Sequence, residues 1–286
     1  MRVTARILTN SATALGGASR LMAIGRMSLA NQVVLITGGA RGIGREIARA
    51  FSARGARLAI ADIDGDGARA AADEIIAAGG RALSIAMDVA DEAQVEAGVA
   101  RVAAEFGGVD VLVSNAGVQH IDALVELDFG HWKRLLAVHL DGAFLTTRAC
   151  MRQMIAAGRG GTILYIGSVH SFEASPRKAP YITAKHGLAG LAKVVAKEGA
   201  PHGIRSNLIC PGFVRTELVE RQIPELAAAM DISEADVIKN VMLHQTVDGE
   251  FTAAGDVAET AVFLASFSSA AMTGQAIVVS HGWHMH

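Results

Sequence analysis

Tyr181 and Lys185 stand four residues apart in the run Tyr181-Ile-Thr-Ala-Lys185. Four residues is about one helical turn, so on a helix both side chains leave the same face. An ammonium beside a phenol favours the phenolate. Free tyrosine titrates near ~10, and bringing it to about 7 takes roughly 4 kcal/mol of differential stabilisation, within reach of a nearby cation in a partly dry site. Such a tyrosine acts as a general base or acid at neutral pH. Alone, the pair fits a solvated helix face equally well, so its meaning depends on its surroundings.

A second cluster lies near the start of the chain. The run Thr37-Gly38-Gly39-Ala40-Arg41-Gly42-Ile43-Gly44 follows an apolar stretch and opens a helical one. Glycines there let backbone N–H groups approach a pyrophosphate at a helix N-terminus. The spacing is G-x-x-x-G-x-G rather than G-x-G-x-x-G, and a plain tight turn is the competing explanation. Asp62 closes the next apolar run. A carboxylate at that place accepts hydrogen bonds from ribose hydroxyls and repels a 2′-phosphate, which favours NAD over NADP. Arg41 and Arg45 pull the other way, because an arginine can pair with that phosphate.

These residues need elements to hold them. Short apolar runs at Val33–Thr37, Arg57–Asp62, Ala82–Asp88, Val111–Asn115, Thr162–Ser168, Ser206–Cys210 and Ala276–Ser280 read as strands. Most are apolar nearly throughout, as strands buried on both faces are. Helical periodicity fills Ile43–Arg54, Gly67–Ala78, Asp91–Phe106, His131–Ala157, Tyr181–Ala200 and Ala254–Ala265. The alternation predicts an α/β fold: one Rossmann-like, doubly wound parallel sheet with helices on both faces. Residues 213–251 break it with a long, polar, helical stretch, a candidate lid inserted before the last strand.

Bulk properties narrow the function. The chain has 286 residues, 51% of them hydrophobic, and a net charge of −2, which points away from nucleic-acid and membrane-surface partners. Cys150 and Cys210 fit neither a metal spacing nor a disulfide framework, and a reducing compartment such as the cytoplasm follows. Residues 1–26 carry Arg2, Arg6, Arg20 and Arg26 and no acid. They suit a leader preceding a start at Met27, or a transit peptide that would place the protein in the mitochondrial matrix. Residues 27–286 are expected to form the folded domain. His281, His284 and His286 suggest a metal cluster, but a frayed C-terminus is the simpler expectation, and no metal is assigned.

Ser168 ends the run Thr162-Ile-Leu-Tyr-Ile-Gly167, at the carboxyl end of an expected parallel strand, where such folds place ligands. With Tyr181 opening the next long helix, both hydroxyls can converge on one oxygen atom. From about residue 30 onward the chain resembles the short-chain dehydrogenase/reductase family. The motifs are Thr37-Gly-x-x-x-Gly42-x-Gly44, Asp88-Val89, Asn115-Ala116-Gly117, Ser168, Tyr181-x-x-x-Lys185 and Pro211-Gly212. The resemblance implies NAD held by Gly38, Arg41, Gly42, Ile43, Gly44, Asp62, Asp88, Val89, Asn115, Ala116, Gly117, Tyr181, Lys185, Pro211, Gly212, Val214 and Thr216. It implies catalysis by Ser168, Tyr181 and Lys185, and assembly as a homotetramer. Two positions depart from the pattern. Ser114 replaces the first Asn of Asn-Asn-Ala-Gly, and His139 stands where the family carries a catalytic Asn that holds a water linking the lysine to solvent. An imidazole can hold a water, titrate, or block the channel. His139 is therefore a fourth catalytic candidate, and the one feature that favours a silent nucleotide-binding sensor.

Gln119, His170, Lys178 and Gln222, with the run Val247-Asp248-Gly249-Glu250-Phe251-Thr252 and the tail Val279-Ser280-His281-Gly282-Trp283, resemble the bacterial D-3-hydroxybutyrate dehydrogenases within that family. The resemblance implies that Gln119, His170, Lys178 and Gln222 bind a substrate carboxylate and its neighbouring atoms, with Ser168 and Tyr181 at the reacting oxygen. A small anionic hydroxy or keto acid suits one cation among several donors, since charge-assisted hydrogen bonds are the strong ones. Another small alcohol or ketone is the alternative substrate.

Overall fold

The computed structural model describes residues 29–285, so the expected N-terminal extension lies outside the described residues. Seven parallel strands form one sheet in the order β3-β2-β1-β4-β5-β6-β7. They are β1 (Val33–Thr37), β2 (Arg57–Asp62), β3 (Arg81–Ala86), β4 (Val111–Ser114), β5 (Gly161–Ile166), β6 (Ile204–Pro211) and β7 (Ala276–Val279). The helices include α1 (Gly42–Ser52), α2 (Gly65–Ala77), α3 (Glu92–Phe106), α4 (Phe129–Leu136), α5 (Gly142–Ala157), α6 (Ala179–Gly199), α7 (Glu217–Met230) and α8 (Ala254–Ser266). Among the described residues, none is long and apolar enough to cross a membrane.

Side-chain alternation along the strands builds the layers. Val33 and Leu35 enter one core with Ile163 and Tyr165, beneath α3, α5 and α6. Val34 and Ile36 enter the other with Leu164 and Ile166, beneath α1, α2 and α8. With both faces covered, the central strands are apolar along most of their length, as residues 33–36 and 111–113 are. The order reverses between β1 and β4, and the crevice at such a switch point is where open α/β sheets bind ligands.

Two departures from the sequence expectation bear on the site. The expected helix 131–157 is two helices joined by a π-helical segment, Ala137–Asp141, with His139 at its middle. Such a segment adds a residue to one turn, which periodicity over 27 positions blurs, and it recurs at functional sites. Residues 213–251 hold α7 and a second π segment, Val237–Met242. They pack around a separate small core that includes Val219, Ile223, Val237 and Met242. A bridge between Val214 and Thr252 pins the base of this excursion to the sheet end.

Candidate active site

One cavity of about 740 Å³ runs along the carboxyl ends of the strands. Its nucleotide half is made of backbone. Gly38 sits at φ 64°, and a Cβ there would lie 2.8 Å from Ala116 Cα, so the turn after β1 closes on the turn after β4 only with glycine in place. Asn115 Nδ2 donates to Thr37 O and Gly38 O, each at 2.9 Å, while Thr37 Oγ1 accepts from Asn115 N and Ala116 N. Arg41 is the N-cap of α1 and gives it no side-chain cap, which leaves the first N–H groups of the helix for an anion. In front of Gly42 is a gap whose nearest wall is Thr216, 3.7 Å from where a Cβ would stand. An open cradle at an uncapped helix N-terminus fits a dinucleotide pyrophosphate.

Asp62 lies at the end of β2, its Oδ2 accepting from Ala40 N and its Oδ1 from Asp64 N, both at 3.0 Å. Asp88, expected within a strand, sits past the end of β3 in a turn, where its Oδ1 accepts from Ala90 N. Asp62, Asp88, Val89, Pro211, Gly212 and Val214 all line the cavity. Gly44 does not. A Cβ there would come within 2.2 Å of Gly38 O, so only a glycine lets α1 pack against the turn.

The reacting residues converge as expected. Tyr181, in the first turn of α6, and Ser168, just past β5, both line the cavity, and their hydroxyls lie close enough to interact. Ser168 Oγ accepts from His170 N at 3.2 Å, which leaves its own proton for a reacting oxygen. Lys185 is buried, and its Nζ donates to Ile166 O at 2.7 Å. The expected lowering of the Tyr181 pKa by Lys185 does not appear. The Lys185 ammonium lies 5.3 Å from the Tyr181 ring centroid, over the ring, with a hydrogen bond spent on Ile166. Burial dominates: it pushes Tyr181 up to about 12, against a smaller pull from Ser168, and Lys185 down to about 8. The resting Tyr181 is a phenol, a proton donor.

His139 is buried, and its ring meets that of Tyr181 edge-on at 5.5 Å. Burial and the Lys185 charge push its pKa down to about 3, so the imidazole is neutral and does not titrate near pH 7. Its Nε2 stands 2.7 Å from Val118 O and 3.1 Å from Val118 N. The shorter contact assigns the ring proton to Nε2 and makes Nδ1 a buried acceptor with no hydrogen-bond partner. Gly117 makes room for the ring, since a Cβ there would lie 2.6 Å from His139 Cε1.

The substrate half is built differently. Lys178 is 4% exposed and lines the cavity; its ammonium lies 5.0 Å from the Phe213 ring, and no carboxylate pairs with it among the described residues. Burial alone pushes it down to about 8. His170 is equally buried, neither ring nitrogen meets a partner in hydrogen-bond geometry among the described residues, and its pKa falls to about 4 because burial and the Lys178 charge outweigh the Glu173 backbone and carboxylate. Gln119 Oε1 is buried and unpartnered, and Gln222 lines the same end from α7. Buried polar groups without partners are costly, so such a cluster in a cavity fits a polar ligand that completes it.

Two wall residues lay outside the sequence expectation. Phe213 and Trp283 stack at 5.0 Å with their planes 9° apart, and the Trp283 ring meets His170 edge-on. An aromatic directly after Pro211-Gly212 was the available signal for Phe213. The tail does not fray: His281 pairs with Asp248 and His284 with Glu173, while Trp283 Nε1 donates to Glu173. Both histidines are thus spent on carboxylates. Among the described residues, no group of three or more His, Cys, Asp or Glu is arranged to hold a metal ion.

The sequence model for short chain dehydrogenases matches residues 32–227. The chain belongs to the short-chain dehydrogenase family. It is 38% identical over 254 residues to the D-beta-hydroxybutyrate dehydrogenase of Rhizobium meliloti strain 1021, covering 88% of this chain and 98% of the relative. It is 37% identical to the D-threitol dehydrogenase of Mycolicibacterium smegmatis, covering 89% and 94%. With the 3-oxoacyl-acyl-carrier-protein reductase FabG of Escherichia coli it shares 34% identity over 91% of this chain and all of the relative. A crystal structure of a short-chain type dehydrogenase/reductase from Mycobacterium marinum superposes with a TM-score of 0.82 at 33% identity, covering 90% of this chain and 97% of that one. The protein is a short-chain oxidoreductase acting on CH–OH groups. A nicotinamide cofactor fits the glycine turn and the uncapped α1 terminus.

Proposed function

We propose that this dehydrogenase oxidises D-3-hydroxybutyrate reversibly to acetoacetate with NAD. The observation that carries the substrate is Lys178, a buried cation with no carboxylate partner among the described residues, grouped with the unpartnered Gln119 and His170. A carboxylate supplies what that cluster lacks: one negative charge and four lone-pair sites. Phe213 and Trp283 stack beside Lys178 and His170 and give the same end an apolar surface, which suits a methyl group.

NAD, when bound, supplies the hydride acceptor. The α1 N-terminus and Thr216 would hold its phosphates, Asp62 its adenosine ribose, and Lys185 its nicotinamide ribose. Ser168 donates to the substrate oxygen and fixes it beside Tyr181. Tyr181 takes the hydroxyl proton in oxidation and returns it in reduction. Lys178, Gln119, His170 and Gln222 hold the carboxylate, which decides which face of C3 is presented. Orientation and charge placement supply most of the acceleration. Residues 213–251 act as the lid, residues 27–286 as the working unit, and four copies assemble in the cytoplasm.

The test is absorbance at the NADH band with D- and L-3-hydroxybutyrate, with NAD and NADP in parallel. Turnover of the D-acid with NAD is expected. The names of two relatives, D-threitol dehydrogenase and an oxoacyl reductase, favour a second reading in which another small alcohol or ketone is the substrate. Turnover of neutral alcohols without the D-acid would select it.

A further inference from the structure

NAD and NADP differ by one phosphate on the adenosine ribose, and the chain carries contrary signals for it: Asp62 against, Arg41 and Arg45 in favour. We infer that Asp64 settles the conflict by holding Arg41 away from a 2′-phosphate, so that the Arg41–Asp64 pair, and not Asp62 alone, sets the choice of cofactor. This rests on the NAD reading above.

Arg41 Nη2 lies 2.7 Å from Asp64 Oδ2, and its Nη1 lies 3.7 Å from Glu217 on α7. Both donor arms of the guanidinium therefore face carboxylates. Arg45 is out of play as well, its fork set on Glu74 at 3.0 and 2.6 Å. Asp64 itself is held on three sides. Its N–H donates to Asp62 Oδ1 at 3.0 Å, its Oδ1 caps α2 by accepting from Gly67 N at 2.9 Å, and its Oδ2 takes Arg41. Gly67 makes the room, since a Cβ there would stand 2.7 Å from Asp64 Oδ2.

The Arg41–Asp64 pair is about half exposed, so it adds little to stability. Its effect falls on the ligand. A 2′-phosphate must displace Asp64 from Arg41 while standing beside Asp62. Without the Asp64 charge, the Nη2 arm of Arg41 is released and only the more distant, exposed Glu217 remains beside Nη1, so the guanidinium can turn to a phosphate.

The experiment is a fluorescence titration of NADH and NADPH, without substrate, on the wild type, D64S, D64N, R41A and D64S/R41A. Serine and asparagine both preserve the α2 cap but cannot ionise. D64S and D64N are expected to tighten NADPH binding about tenfold with NADH changed by less than about threefold, and R41A in the D64S background should abolish the gain. Unchanged NADPH affinity overturns the inference, as does a gain that survives R41A, which would reflect simple charge repulsion. Loss of NADH binding in both cap-preserving variants reduces Asp64 to a structural cap. A wild type that prefers NADPH sinks the NAD reading itself, an outcome separate from the others.

Discussion

The two halves of the cavity obey opposite rules. In the nucleotide half polar groups are already paired: both Asp62 oxygens accept, Asn115 donates twice, and Arg41 and Arg45 are each on a carboxylate. In the other half, among the described residues, they are not: Lys178 lacks a counter-ion, and Gln119 Oε1, His139 Nδ1 and both nitrogens of His170 have no partner. The first is a finished surface that needs only backbone N–H groups to take an anion. The second carries an unpaid desolvation cost that a ligand removes on binding. On the proposed function, cofactor binding is thus written into the turns, while substrate choice is written into buried side chains.

The comparison breaks most sharply at Tyr181, which both halves serve. Tyr181→Phe is expected to lower kcat by at least about a thousandfold while leaving NADH affinity within about twofold. A variant that keeps more than about a tenth of the wild-type rate removes Tyr181 as the acid–base group.

Gly117 sits where the halves meet. Gly117→Ala is expected to displace His139, move Val118 and Gln119 with it, and reduce kcat/KM by about tenfold to a hundredfold. His139→Asn in the Gly117→Ala background relieves the clash and should recover most of the loss. Failure of that rescue would detach His139 from the positioning of Gln119.

The halves also differ in how pH enters. Oxidation needs the Tyr181 phenolate, and burial raises its pKa to about 12, so the rate of alcohol oxidation should climb with pH through the neutral and alkaline range while reduction does not. His139 and His170, pushed down to about 3 and about 4, contribute no inflection near 6.5. A pH–rate profile with an imidazole limb in that range, lost in His139→Asn, would contradict the neutral assignment.

The smallest effect is on stability. Lys178 has a folded pKa of about 8 against an ordinary 10.5, so the unfolded chain binds more protons between those values. Stability therefore rises with pH across that window, and below it the buried charge carries its full cost. Lys178→Met should stabilise the ligand-free protein by about 1–3 kcal/mol at pH 7, with the gain fading above about pH 10. Denaturant unfolding at the two pH values checks this, and a destabilised variant at pH 7 would mean that Lys178 has a partner in the free protein.

The sheet was legible because strands covered on both faces are apolar nearly throughout, as residues 33–36 and 163–166 are. The convergence of Ser168 and Tyr181 followed from placing one at a strand end and the other at the next helix start. What escaped the sequence was tertiary. The π segment at His139 adds a residue that periodicity cannot register. The pKa of Tyr181 depends on how much protein surrounds its hydroxyl, not on the spacing to Lys185. Arg41 is separated from its partner Asp64 by a helix and a strand, and the tail from Glu173 by more than 100 residues. The packing role of Gly44 shows only in the approach of Gly38 O.

The central claim is that the substrate half waits for a carboxylate. The direct measurement is kcat/KM for D-3-hydroxybutyrate against its neutral amide, in the wild type and in Lys178→Ala. The acid should be preferred by about a hundredfold in the wild type, through KM more than kcat, and by less than about fivefold in the variant. Equal use of acid and amide by the wild type, or a preference that survives Lys178→Ala, would contradict the claim.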